Sequence, residues 1–172
     1  MVPRADEPVV RQRLDGVLAA IRNSRAPIRA EIVEATRDPY EAAAKIDKWA
    51  LDNKTRRGLF ALDNAATDGV VRTMQKRSLW AKGVRAGAYG VLPAALELID
   101  EGRLDFTVDE QPYLQGFVPV LQLFLFKLSG GLVAPADTDT GARLVTKASV
   151  RAYLAKTRFQ GSSSRHRYPI LP

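Results

Sequence analysis

GLFALDNAATDGVVRTMQKRS, residues 58–78, followed by GVRAGAYG, residues 83–90, reads as a strand, a helix and a second strand. GLFALD and GVRAGAYG are short apolar runs bounded by polar residues or glycine, the form of a parallel strand buried on both faces. The stretch from 65 to 78 between them is predicted helical, as a crossover between parallel strands requires. Downstream the alternation continues. LPAALELIDEG (92–102) is predicted as a helix with Pro93 in its first turn and Gly102 at its end. RLDFTVDE (103–110) then alternates apolar and polar residues through Leu104, Phe106 and Val108. An apolar helix from Pro112 to about Leu128, a Gly/Pro/Asp-rich connection, a short GARLVT strand (141–146) and a last helix over about 147–156 complete the series.

Upstream, Val10, Leu14, Val17, Leu18 and Ile21 recur at helical spacing and predict a helix over about 8–24, stopped by Pro27. IRAEIVEA (28–35) has the period-two pattern of a strand through Ile28, Ala30 and Ile32. Asp38-Pro39 opens a further helix, with Tyr40, Ala43, Ile46, Trp49 and Ala50 on one face and Asn53 at its close. The fold class is therefore α/β, a three-layer sandwich around a mainly parallel, doubly wound sheet with right-handed crossovers. Doubly wound folds open on a central strand, whereas this chain opens on a helix, which points to a missing strand.

Composition narrows the chemistry. The 172 residues include no Cys, which removes disulfides, thiolate nucleophiles and cysteine-based metal sites. The only histidine is His166, in a Ser/Arg-rich tail, so mechanisms built on a histidine base are disfavoured and no metal site is expected. The net charge is +7, but four of the 26 basic residues (Lys156, Arg158, Arg165, Arg167) and none of the 19 acidic ones fall in 155–172. The body is close to charge balance, and no nucleic-acid partner is expected. Neither GxGxxG nor GxxxxGK[ST] occurs, and no cofactor is expected. Residues 1–16 hold no apolar run of the length a secretory signal needs, so the chain as written is expected in the cytoplasm. The most apolar stretch, 117–128, is too short to span a membrane.

Ligands of open parallel sheets collect at the carboxyl ends of the strands. Asp63 and Asn64 follow the first of the three apolar runs, Tyr89 ends the second and Glu110 follows the third. Carboxylates and amides accept and donate in fixed planes, and tyrosine offers a ring face and a hydroxyl, a set that suits a polyol. The same residues also serve as ordinary turn formers. Asp63 and Glu110 are a conceivable carboxylate pair for glycoside chemistry, with their separation deciding.

FTVDEQPYLQGFVPVLQLFLFKL (106–128) followed by DTGARLVTKASV (139–150) closely resembles the carboxyl-terminal part of the ribose/xylose-type periplasmic sugar-binding proteins of ABC transporters. RQRLDGVLAAI (11–21) resembles that family's R-x-R-x-x-G helix start, GLFALDNAATDG (58–69) its strand-to-helix turn, and VRAGAYGVLP (84–93) its V-x-G-F-D-x-x-P turn. The resemblance covers about 8–156 and implies one lobe of a two-lobed binding protein that closes on a sugar, with 157–172 a disordered basic tail. It implies a non-enzymatic, extracytoplasmic sugar carrier that works with an ABC permease. An alternative is the sugar-responsive sensor domain of the same fold.

Residue by residue, Arg13 stands where the family has a sugar-binding arginine. Asp63 stands at a ligand amide, with Asn64 beside it where the family has aspartate. Tyr89 replaces the aspartate of the turn, and Glu110 replaces a ligand glutamine. Nine of the twelve residues 117–128 are apolar, so this helix needs cover nearly all round. The resemblance implies that a missing amino-terminal lobe, or a second copy, covers the helix over 112–129.

Overall fold

A computed structural model describes residues 7–34, 38–52 and 58–154. The expected tail at 157–172 and the closing Asn53 lie outside the described residues. Among the described residues six α-helices and four strands follow in the order α1 (Pro8–Asn23), α2 (Pro39–Asp52), β1 (Gly58–Phe60), α3 (Asn64–Arg77), β2 (Arg85–Tyr89), α4 (Pro93–Asp100), β3 (Phe106–Asp109), α5 (Pro112–Leu128), β4 (Arg143–Thr146) and α6 (Arg151–Leu154). A short 3-10 turn, Leu79–Lys82, follows α3.

The sheet order is β1-β2-β3-β4. β1, β2 and β3 are parallel, with Leu59 opposite Ala86 and Ala88 opposite Thr107. β4 returns antiparallel to β3. Because strand side chains alternate between faces, Leu59, Ala86, Ala88 and Val145 point to one side. There they join Ile46 of α2, Val70 and Met74 of α3, Leu96 and Ile99 of α4 and Val150 in the main core. Phe60 points to the other side, where Val10, Leu14 and Val17 of α1 meet Phe60 and Leu62 in a smaller cluster. The sheet is thus covered fully on one face and by α1 on the other.

Local chemistry explains most of the boundaries. Pro8, Pro39, Pro93 and Pro112 stand in the first turns of α1, α2, α4 and α5, where a missing N–H costs nothing. Asp63 caps α3, its carboxylate accepting from the Ala66 N–H at 2.7 Å. α2 lies close on α3 because position 69 is glycine: a Cβ there would come within 2.6 Å of the Ile46 Cδ1 and 3.1 Å of the Ala43 backbone nitrogen. That approach also sets which stripe of α2 is buried. Ala42 and Ile46 are fully covered, whereas Tyr40, expected on the inner face, is 72% exposed and carries the Arg72 guanidinium over its ring.

Two further differences from the sequence reading have physical causes. Residues 28–33 have the strand pattern but join no ladder, and only an isolated bridge occurs at Glu34. A strand needs a neighbour to take its N–H and C=O groups, and among the described residues the sheet contains only β1 to β4. The helix expected over about 147–156 is regular only at Arg151–Leu154 within the described residues. The Ser149 hydroxyl accepts from the Thr146 N–H and the Ser149 N–H donates to the Thr146 carbonyl, a local turn that competes with helix at 147–150. Helix α5 has the predicted bounds, yet it buries none of its residues. No helix among the described residues is long and apolar enough to cross a membrane.

Asp47 of α2 joins α2 to the end of α3, accepting from Arg77 Nε at 2.6 Å and Lys76 Nζ at 2.8 Å. These bonds, that of Arg77 foremost, hold its carboxyl well below the usual carboxylate range against a smaller opposing effect of burial. A depressed native pKa gives stability that is present above the unfolded value and lost as pH falls. The expected outcome is that wild type exceeds Asp47→Asn in urea midpoint near neutrality, and that the gap closes as pH drops below about 4. A gap that is constant from neutral to acid pH would contradict this role.

Candidate functional site

The carboxyl ends of β1, β2 and β3 lie side by side, because parallel strands share one direction. Short-range bonds hold the turn at the end of each strand. After β1, Asp63 caps α3 and Asn64 begins it. After β2, Tyr89 leads into Gly90, whose φ of +88° suits glycine, and a Cβ there would fall 1.9 Å from Asn64 Oδ1. The Asn64 amide therefore lies directly against the β2 turn. After β3, Asp109 accepts from the Gln111 N–H at 2.8 Å, an Asx turn that fixes Glu110 between them.

Arg13 of α1 reaches into this junction. Its Nη1 donates to the Leu62 carbonyl at 2.9 Å, its Nη2 pairs with Glu110 Oε1, and its guanidinium lies 4.0 Å from the centroid of the Tyr89 ring. The Arg13 side chain is 18% exposed and that of Glu110 is 31% exposed, so the pair sits in a partly covered recess open to solvent on one side. The structure thus joins Arg13, Tyr89 and Glu110 directly. Asp63 is electrostatically coupled to Arg13, and Asn64 packs on Gly90 at the same end of the sheet.

The Asp63 carboxyl is pushed up from its ordinary value, chiefly by burial, against the opposing pull of the Ala66 N–H and of Arg13. Glu7, at the start of α1, adds to the upward push. An amide at this position would cap the helix without that charge cost.

Three residues that position the site escaped the sequence reading. The Thr67 hydroxyl donates to the Tyr89 carbonyl at 2.8 Å and accepts from the Tyr89 N–H at 3.0 Å, tying α3 to the end of β2. The Thr107 hydroxyl donates to the Gly90 carbonyl at 2.6 Å. Buried Asp109 accepts from the Tyr153 hydroxyl at 2.8 Å, and burial together with that carboxylate raises the Tyr153 phenol. The sequence carried a signal for the last of these, since Asp two positions before Gln111 is an Asx-turn pattern. The threonines had none, because a threonine facing a core is indistinguishable in sequence from a β-branched filler. Among the described residues no cluster of three or more His, Asp or Glu could hold a metal ion.

Arg13 supplies fixed donors, Glu110 and Asp63 supply acceptors, Asn64 supplies both, and Tyr89 supplies a ring face and a hydroxyl. Such a mixed, planar set matches adjacent hydroxyl groups on a small ring.

Comparison with known proteins bears on the family and on the fold. The sequence profile of the periplasmic binding protein domain matches residues 1–126. The xylose/arabinose-binding protein XylF of Sulfolobus acidocaldarius is 31% identical over 162 residues, covering 92% of this chain and 40% of that protein. Among solved structures, an ABC transporter solute-binding protein from Burkholderia graminis in complex with D-arabinose superposes with a TM-score of 0.72 at 18% identity, over 86% of this chain and 51% of that one. The arabinose-binding protein AraP of Geobacillus stearothermophilus does so with a TM-score of 0.70 at 21% identity, over 90% and 55%. The chain therefore spans 40% of the curated relative and about half of each solved protein. The structural likeness supports the same α/β lobe.

Asp63→Asn keeps the helix cap and removes the buried charge, whereas Asp63→Ala removes the cap at a cost of about 1 kcal/mol. A raised native pKa means that wild type loses stability as pH climbs through the carboxylate range. Urea unfolding should therefore show Asp63→Asn gaining on wild type as pH rises from about 3 to 7. An Asn variant that instead loses ground with rising pH would exclude a charge cost at this position.

Proposed function

The chain belongs to the periplasmic binding protein domain family, and on that footing we propose that it is the carboxyl-terminal ligand-binding lobe of the substrate-binding component of a sugar ABC transporter. Members of this family bind substrates outside the cytoplasm. The proposed ligand is a monosaccharide or similar polyol, with a pentose favoured by the names of the xylose/arabinose-binding and arabinose-binding relatives. The observation that carries this reading is the convergence of Arg13, Tyr89 and Glu110 at the carboxyl ends of three parallel strands.

In this reading Arg13 donates to neighbouring ring hydroxyls and Glu110 accepts from them. Tyr89 gives a flat surface for the sugar's C–H face, and Asp63 and Asn64 reach hydroxyls at the edge. The site is open on one side, where a second lobe would close over the sugar. The same second lobe would cover α5, whose Phe117, Val120, Leu123 and Phe124 are between 48% and 65% exposed.

Small-molecule sites bury most of their ligand's surface, and a single lobe supplies half of that enclosure. Calorimetry of this chain with D-xylose and L-arabinose should therefore give weak binding, with Kd on the order of 1 mM or about −4 kcal/mol. Arg13→Ala should abolish the signal. Tight binding that survives Arg13→Ala, or no binding of any aldose at high protein concentration, would overturn the assignment. For α5, the double variant Leu123→Glu/Phe124→Glu should reduce concentration-dependent association in sedimentation without lowering the thermal midpoint, since neither side chain is buried.

A further inference from the structure

Helix α6 is only four residues long, yet it is tied firmly to the sheet. Val150, just before it, is fully buried in the main core, and the half-buried Tyr153 packs against the same core. The Tyr153 hydroxyl reaches the last residue of β3, donating to Asp109 Oδ2 at 2.8 Å. The other oxygen of that carboxylate, Oδ1, accepts from the Gln111 N–H at 2.8 Å. One buried carboxylate therefore links α6 to the turn that carries Glu110.

That turn needs to be held. Gln111 has a φ of +57°, in the left-handed region that residues with a Cβ adopt only under constraint. On the helix side, the Gln115 amide donates to the Glu110 carbonyl at 2.8 Å, and the Gln111 amide donates to the Thr140 carbonyl. On the strand side the hold is the Asp109 carboxylate. Its terminal torsion is broad, so one hydrogen bond leaves the plane of the group free to swing. The second bond, from Tyr153, fixes the plane in which Oδ1 meets the Gln111 N–H.

Packing alone does not account for a tyrosine here. A phenylalanine ring would cover the same apolar surface, and the hydroxyl is the part aimed at the carboxylate. Burial and the neighbouring Asp109 raise the phenol, so it stays protonated and donates across the neutral range.

We propose that Tyr153 is a positioning residue of the candidate site: by fixing the Asp109 carboxylate it sets the turn that holds Glu110 on Arg13, and so couples α6 to the glutamate side of the site. Its effect on a ligand rests on the sugar-binding reading above, whereas its effect on the Arg13–Glu110 pair does not. Coupling of this kind is reciprocal, so a change at the pair must also be felt at Tyr153.

The test reads the pair directly in the full chain, through the nitrogen-15 signal of the Arg13 guanidinium. Tyr153→Phe should move that signal toward its position in Glu110→Gln, and should add nothing further when the two substitutions are combined. The backbone amides of Ala86 and Ala88 should stay in place in all variants, which controls for folding. If Tyr153→Phe does not fold, 3-fluorotyrosine at position 153 reads the same coupling from the other end, and its fluorine signal should move on Arg13→Ala. Where L-arabinose binds, Tyr153→Phe should weaken it about fivefold, and that loss should vanish in the Glu110→Gln background. A wild-type chain that binds no aldose defeats the sugar reading, while the Arg13 signal still decides the role of Tyr153. The proposal fails if Tyr153→Phe leaves the Arg13 signal at its wild-type position, or shifts it as much in the Glu110→Gln background. It also fails if the Ala86 and Ala88 amides move along with it, since Tyr153 then acts on the whole sheet, or if the fluorine signal ignores Arg13→Ala.

Discussion

Two parallel strands can be hydrogen-bonded neighbours only if the chain travels back across the sheet between them, and that requirement organises this molecule. α3 makes the return between β1 and β2, and α4 makes it between β2 and β3. Each return places the next strand's carboxyl end beside the last. Asp63, Tyr89 and Glu110 are far apart in sequence and side by side in space for that reason alone. The helix that starts after β1 also receives its cap there, so one residue, Asp63, serves both the crossover and the site.

The site is electrically self-contained. Arg13 carries the positive charge, Glu110 the partnering negative one, and the Tyr89 ring lies under the guanidinium. A neutral ligand entering this recess exchanges hydrogen bonds with a pair that is already neutral, so no net charge has to be buried with it. The cost is competition. Hydroxyls must displace the Arg13–Glu110 contact or share its remaining donors and lone pairs, and a buried group left unmatched costs roughly 1–3 kcal/mol. On the proposed reading, a carboxylate at Glu110 favours ligands that donate to this position and disfavours any that present an acceptor there.

Much of this architecture is legible in the sequence. The alternating strands and helices from Gly58 to Leu128 stand where the apolar periods and the prolines put them, because period, turn chemistry and burial agree there. The strand ends pointed to Asp63, Asn64, Tyr89 and Glu110, and the R-x-R-x-x-G start of α1 pointed to Arg13. Agreement failed where a pattern depends on a partner that the local sequence does not contain. Residues 28–33 alternate as a strand should, yet pairing is a property of two segments that the alternation of one cannot encode. The short α6 and the exposure of Tyr40 are decided by a serine turn and by the close packing at Gly69, both invisible to a hydrophobic period. The hydroxyls of Thr67 and Thr107 tie the ends of the strands together through bonds that only the tertiary fold creates.

Among the described residues, two apolar surfaces flank the site, the groove under α1 and the exposed face of α5. The groove is walled by Leu14, Val17 and Ile21 of α1 and floored by Phe60 and Phe106. α5 asks only for apolar contact, because its helical hydrogen bonds are internal and its exposed residues are aliphatic and aromatic. Contact within the groove bears on the platform on which Arg13 stands, since α1 packs on the same small cluster as Phe60 and Leu62. A body packed on α5, by contrast, touches the site only through the short turn at Glu110 and Gln111, where the Gln115 amide donates to the Glu110 carbonyl at 2.8 Å. The groove therefore borders the arginine side of the site, and α5 borders the glutamate side. The Arg13–Glu110 pair is the point at which the two meet.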